Sequence, residues 1–111
     1  MNKVTRPLPN GKQITVMDLS PTGSGTKTEE FAIDADTLLI SLFAVSVSGT
    51  LDVSVETFTD PGKSVEIIQF PQLNSATSNL LLRRAAVSMQ NVRVIATYSD
   101  AAEFEIKARG D

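Results

Sequence analysis

From residue 51 to residue 56 the chain reads Leu51-Asp52-Val53-Ser54-Val55-Glu56, apolar and polar side chains in unbroken alternation. Successive side chains on an extended backbone point to opposite faces, so Leu51, Val53 and Val55 share one face and the polar residues share the other. A helix would scatter these residues around its axis, so the stretch is expected to be a strand with one wet side. The residues before it behave differently. Leu38-Leu39-Ile40 and Leu42-Phe43-Ala44-Val45 place apolar groups on both faces, and alternation resumes only at Ser46-Val47-Ser48. Such a strand needs cover on both sides, from a central place in a sandwich or from another subunit closing over its outer face. The two segments are expected to fold back on each other at Ser48-Gly49-Thr50, making a hairpin over residues 38–58.

The rest of the chain carries the same period. Residues 13–18 place Ile14 and Val16 on one face, and residues 28–34 set Phe31 and Ile33 against Glu30 and Ala32. Thr59-Asp60-Pro61-Gly62 has the chemistry of a tight turn, so residues 65–70 are expected to pair antiparallel with 51–58 and complete a three-stranded meander. Leu80-Leu81-Leu82 is too short to type by period; residues 80–89 are read as a strand, with a helical turn as the alternative. Val92, Val94, Ala96 and Tyr98 share one face of residues 91–98, and Phe104 and Ile106 repeat the pattern after a short turn at Ser99-Asp100-Ala101-Ala102. Phe43, Val45, Leu51, Val53, Val55, Val94, Phe104 and Ile106 are the expected core. Seven to eight short strands with turn signals at this spacing predict an all-β fold, an antiparallel β-sandwich, with a small barrel as the runner-up.

Residues 1–12 contain Pro7, Pro9 and Gly11, which disfavour a regular ladder, so they are expected to form an extended N-terminal arm on a single domain over residues 13–111. A chain of 111 residues has room for one core. The two long loops are expected at 19–27 and 71–79.

Composition removes most chemistries. The chain has no histidine and no cysteine, so triads with a His base, thiol nucleophiles, disulfides and zinc sites built on His or Cys are excluded. Ten basic and thirteen acidic residues give a net charge of −3, with no basic run to follow a phosphate backbone. No apolar run is of membrane-spanning length, and the first residues lack the apolar core of a secretory signal, so synthesis and assembly in a cytoplasm are expected. Asp34 and Asp36 share a face, with Glu29 and Glu30 just before them, which allows a paired-carboxylate reading, and the Asp34/Asp36 pair allows a Ca²⁺ one; a charged strand edge that discourages aggregation accounts for them better. Gly23-Ser24-Gly25-Thr26 has no helical pattern after it to cradle an anion, and the terminal Arg109-Gly110-Asp111 is taken as a chance tripeptide. No enzyme, cofactor, metal, nucleic acid, membrane or small-molecule substrate is expected.

The run Asn91-Val92-Arg93-Val94-Ile95-Ala96-Thr97-Tyr98, a short turn, and Phe104-Glu105-Ile106-Lys107-Ala108-Arg109-Gly110 resembles the terminal hairpin of small β-sandwich proteins carried on tailed-bacteriophage virions. That resemblance implies a decoration, connector, collar or tail-adaptor subunit that binds copies of itself and neighbouring virion proteins, located in the virion and assembled in the host cytoplasm. The residues point independently to partner contacts. Val4, Arg6 and Leu8 on the arm would lie across a neighbouring subunit, with Lys3 and Arg6 meeting acids such as Glu29 and Glu30, while Leu38, Ile40 and Leu42 would supply a face for another subunit to cover. The alternative is a β-sandwich recognition module that binds carbohydrate or a host surface through loops 19–27 and 71–79.

Overall fold

The computed structural model describes residues 8, 9, 11–60, 63–74, 77–87 and 91–111. Its elements are all strands: β1 (Leu8–Pro9), β2 (Gln13–Leu19), β3 (Gly25–Asp34), β4 (Thr37–Val47), β5 (Thr50–Asp60), β6 (Lys63–Gln69), β7 (Leu73–Asn74), β8 (Thr77–Ala86), β9 (Asn91–Tyr98) and β10 (Ala102–Gly110). They form two facing sheets. One has the order β1-β3-β9-β5-β6, with β7 beside β5, and the other the order β2-β10-β4-β8. All pairings are antiparallel except that of β1, which runs parallel to β3 with Leu8 opposite Ile33 and Pro9 opposite Asp34. The fold is thus a β-sandwich with eight strands of seven or more residues, as the period predicted, and residues 80–86 are strand rather than helix. Proline at an outermost strand is tolerated because its missing N–H faces no partner, which is how Pro9 joins a ladder that the arm was expected to avoid.

The pairing differs from the expected hairpins in two places. β4 and β5 lie in opposite sheets, and so do β9 and β10. The chain therefore crosses from sheet to sheet at Ser48-Gly49 and again at 99–101, and the meander shrinks to the single pair β5 and β6. A two-residue type I′ hairpin requires positive φ at both central residues. Among the described glycines only Gly11, at φ 81°, is in that region, so Gly49 does not make that turn. The two crossings instead lie side by side and bind each other: Ser48 N donates to Ala101 O at 2.9 Å, Ser99 N to Thr50 O at 3.1 Å, and Thr50 N to Ser99 Oγ at 2.8 Å.

Gly49 is required there by space rather than by torsion. A Cβ on it would run into Ser99 Oγ and would lie 3.1 Å from Asp100 Cβ. Gly49→Ala should cost roughly 1–3 kcal/mol through overpacking. Chemical denaturation of Gly49→Ala, Ser99→Gly and the double variant checks the cause: the double variant should recover part of the loss, and strict additivity would show that Ser99 is not the obstacle.

The core sits between the sheets. Met17, Phe31, Ile33, Leu38, Ile40, Leu42, Ala44, Leu51, Val53, Val55, Phe70, Val92, Val94, Ala96, Phe104, Ile106 and Ala108 are buried in it. Six of the eight expected core residues are there, and Phe43 and Val45 are not. The reason is one bulge. Ser46 faces Glu103 and Ala44 faces Phe104, which leaves Val45 as an extra residue on β4. A bulge shifts the alternation by one, so Leu38, Ile40, Leu42 and Ala44 point inward and then Val47 does, while Phe43 and Val45 point out.

Candidate functional site

The outer face of the four-stranded sheet is divided between two kinds of surface. On β10 and β2 it is charged. Glu105 faces Asp18 and Lys107 faces Thr15 across the ladder, and Lys107 Nζ lies 3.5 Å from Glu105 Oε1. On β4 and β8 it is largely apolar, with Arg84 opposite Leu39 at one end. Phe43 stands opposite Leu80, and Ser41 opposite Leu82. Residues directly opposite in an antiparallel pair share a face, so Leu39, Phe43, Leu80 and Leu82 form one surface, with Val45 beside them at the bulge. Phe43 and Val45 are 38% and 37% exposed, Leu80 and Leu82 57% and 53%. The only other large exposed apolar side chain among the described residues is Val65, on β6, a strand that packs next to β8. Scattered exposed apolar residues are ordinary, whereas a contiguous group of them marks a place where something binds.

This surface is not the one the sequence pointed to. Leu38, Ile40 and Leu42 are buried in the sandwich interior and have no area for a partner. Their odd-numbered neighbours took the role, because the strand needed cover on one face only and found it in the other sheet. Leu8 lies in β1 at the edge of the six-stranded sheet, and Val4 and Arg6 lie outside the described residues. Leu80 and Leu82 had a signal in the sequence: three consecutive leucines in a strand force at least one outward.

The acids are placed as surface chemistry. Glu30, Arg93 and Glu56 form a rung across β3, β9 and β5 on the outer face of the six-stranded sheet. Arg93 Nε donates to Glu30 Oε2 at 2.9 Å and Nη1 to Glu56 Oε1 at 2.6 Å, while its guanidinium lies 4.4 Å from the centre of the Phe58 ring. The hydrogen bond to Glu56 first, and that to Glu30 second, raise the Arg93 pKa above its ordinary value, so the group is a fixed cation and no proton carrier. Glu29 faces Val94 across the ladder, on the inner side of β3, and its Oε1 is buried without a hydrogen-bond partner in the structure. An inward-pointing charge on an outer strand deters further strand pairing. Asp34 ends β3 and Asp36 lies in the turn after it, where its carbonyl accepts from Val87 N at 2.8 Å. No three metal-ligating side chains gather among the described residues.

The terminal tripeptide is tied into the sheet. Arg109 and Gly110 belong to β10; Asp111 N donates to Thr37 O at 2.8 Å and Thr37 N to Asp111 O at 3.1 Å. The Asp111 carboxylate accepts from Arg109 Nε at 3.0 Å and from Arg84 Nη2 at 3.3 Å. The hydrogen bond from Arg109, with Arg84 adding to it, lowers its pKa below the ordinary 3.8. A depressed carboxylate stabilises the fold above its unfolded-state pKa and loses that contribution as pH falls through the folded one. A carbon-detected NMR titration of Asp111 should therefore give a midpoint below 3.8; a midpoint at or above it would mean the two arginines do not hold the terminus in solution.

The expected loops are shorter than their sequence limits. β2 ends at Leu19 and β3 begins at Gly25; β7 occupies Leu73–Asn74 and β8 begins at Thr77.

No protein-family model matches the chain, and no curated protein matches its sequence. Solved structures do match its fold. The pre-peptidase C-terminal domain of a collagenase from Bacillus anthracis superposes with a TM-score of 0.62 at 12% identity, over 97% of this chain and 95% of that one. The VP2 protein of infectious bursal disease virus, in a structure of derived T=1 particles, gives 0.54 at 17% identity over 87% of this chain. The Gt strain of the same virus gives 0.53 at 17% identity, again over 87%. This chain spans about a third of the viral chain's length, 30% in the first case and 32% in the second. At these identities the likeness establishes the β-sandwich fold.

Proposed function

We propose that the chain is a non-enzymatic structural subunit of a symmetric protein assembly, a tailed-phage virion component that binds copies of itself and neighbouring virion proteins. The observation that carries this reading is the apolar surface of Leu39, Phe43, Val45, Leu80 and Leu82, gathered on one half of one sheet beside a charged half. A surface with an apolar centre and a polar border is the anatomy of a protein–protein contact. The viral capsid protein that forms T=1 particles supports the reading as a precedent for this type of sandwich in a shell.

A second reading, an accessory recognition module, is favoured by the end-to-end match with a domain of a collagenase. Light-scattering mass of the purified chain over a wide concentration range, run beside a glycan-array screen, separates the two. Self-association without glycan binding supports the assembly subunit, and a monomer with saturable glycan binding supports the module. The carboxylates give a further check. With Glu29, Glu30, Asp34 and Asp36 all replaced by their amides, the self-association of the folded protein should be unchanged, because no described residue activates a nucleophile or completes a metal site around them. Lost association with an intact fold would return these acids to the centre of the function.

A further inference from the structure

We infer that two copies of this chain pair through the open edge of β8, antiparallel about a two-fold axis at Leu81, joining their four-stranded sheets into one continuous sheet. The inference rests on the assembly reading and names its first contact.

β8 is the end strand of its sheet, paired with β4 on one side only. Strand edges in folded proteins are normally blunted by brevity, proline, bulges or inward-pointing charges. The other outer strands show these devices. β1 has two residues and a proline, β2 carries a register shift against β10, β6 carries two against β5, and β3, open beyond its two residues beside β1, turns Lys27 and Glu29 inward opposite Ala96 and Val94. β8 has ten residues without proline or glycine and pairs with β4 in one unshifted register from Thr37 opposite Ala86 to Ser46 opposite Thr77. Its one charge on the inner side is Arg83, which stands opposite the buried Ile40, lies over the Phe70 ring and bonds its own strand at Leu82 O.

The open side already shows which backbone groups face it. Leu82 O accepts a hydrogen bond from the adjacent Arg83 side chain, Nη1 at 2.8 Å, so this carbonyl is turned away from β4. In an antiparallel ladder the N–H and C=O of one residue point to the same side and alternate along the strand, so Leu80, Leu82 and Arg84 present theirs outward. A new strand would take over the Leu82 carbonyl from the Arg83 guanidinium, which also lies 5.8 Å from the Phe70 ring centre.

Side-chain alternation and charge select the register. If the two outer faces are to be continuous, outward residues must oppose outward residues. Centring on Leu81 sets Leu80 of each copy opposite Leu82 of the other, extending the apolar surface of Phe43 and Val45 across the junction. The same register places Arg83 and Arg84 at opposite ends, facing the uncharged positions 79 and 78 of the second copy. A parallel pairing in register would put the two arginine pairs side by side, and like charges directly opposite are destabilising.

The expected strength follows from size. About nine paired residues at ~3.3 Å each, across a sandwich ~10 Å thick, cover roughly 300 Å² per partner. A standard stable interface takes about 800 Å² per partner. Pairing of two isolated copies is therefore weak and concentration-dependent, and a closed assembly would reinforce it.

Sedimentation equilibrium of the full chain from about 10 μM to about 1 mM should show a reversible monomer–dimer equilibrium. Leu80→Lys and Leu82→Lys, both at exposed positions, should keep the circular dichroism spectrum and weaken association at least about tenfold. Because the chain has no cysteine, the double variant Leu80→Cys/Leu82→Cys should give a covalent dimer under mild oxidation, through the 80-to-82 pairs that lie within disulfide span. Association that is undiminished in both lysine variants, with no covalent dimer, would overturn the β8 contact while leaving the assembly reading standing on another surface. A chain that stays monomeric to about 1 mM and forms no covalent dimer would overturn both.

Discussion

Replacing Phe104 with alanine should lower the melting temperature by roughly 12–25 °C. Phe104 is buried in the core, on β10, with the Tyr98 ring centroid 6.1 Å from its own. Removing a buried phenyl ring costs about 3–5 kcal/mol, transfer and cavity together. In a domain of this size each kcal/mol moves the midpoint by about 4 °C or somewhat more. Total stabilities of 5–15 kcal/mol leave little in reserve. A thermal melt within about 5 °C of the parent protein would mean that the cavity collapses around Tyr98 or that Phe104 is not central.

The second large effect is a contrast between neighbours. Leu42→Lys should abolish folding, whereas Phe43→Lys should leave a folded protein. Leu42 lies in the interior and Phe43 is 38% exposed on the outer face. An ammonium group forced into the core without a partner costs several kcal/mol even after relaxation, comparable with the whole stability. At position 43 the same group stays in water. Circular dichroism and one-dimensional proton NMR of the two variants decide the matter. A folded Leu42→Lys, or an unfolded Phe43→Lys, would reverse the assignment of faces on β4.

That assignment is where the sequence was least legible. Alternation at 51–56, 91–98 and 104–106 showed strands and their inner faces correctly, because each segment keeps its apolar residues on one side, with Ile95 the one exception. Between Leu38 and Val47 both faces are apolar, so period alone cannot choose between them, and the bulge at Val45 changes parity midway. Nothing in Phe43-Ala44-Val45-Ser46 announces a bulge; it arises from pairing with Glu103 and Phe104, more than fifty residues away. The candidate surface was misread for the same reason, with Leu38, Ile40 and Leu42 in place of Leu39, Phe43 and Val45. The turns were equally ambiguous. Ser48-Gly49 and Ser99-Asp100-Ala101 punctuate the chain as hairpin turns would, and whether a short link reverses within a sheet or crosses to the other depends on which strands wait on either side.

The two crossings also govern how the molecule comes together. Of the strand pairs among the described residues, only β5 and β6 are neighbours in sequence; every other pairing joins segments separated by at least one intervening strand. The pair β2 and β10 joins the two ends of the domain, with Gln13 opposite Arg109. Among the described residues no local hairpin other than β5–β6 is available to nucleate either sheet, and loop-closure entropy must be met before the long-range contacts return anything. Such topologies fold in milliseconds to seconds, at the slow end for their size. During that interval the leucines of β8 are open to other nascent chains, so the rate of synthesis and the local concentration should decide between soluble subunit and aggregate.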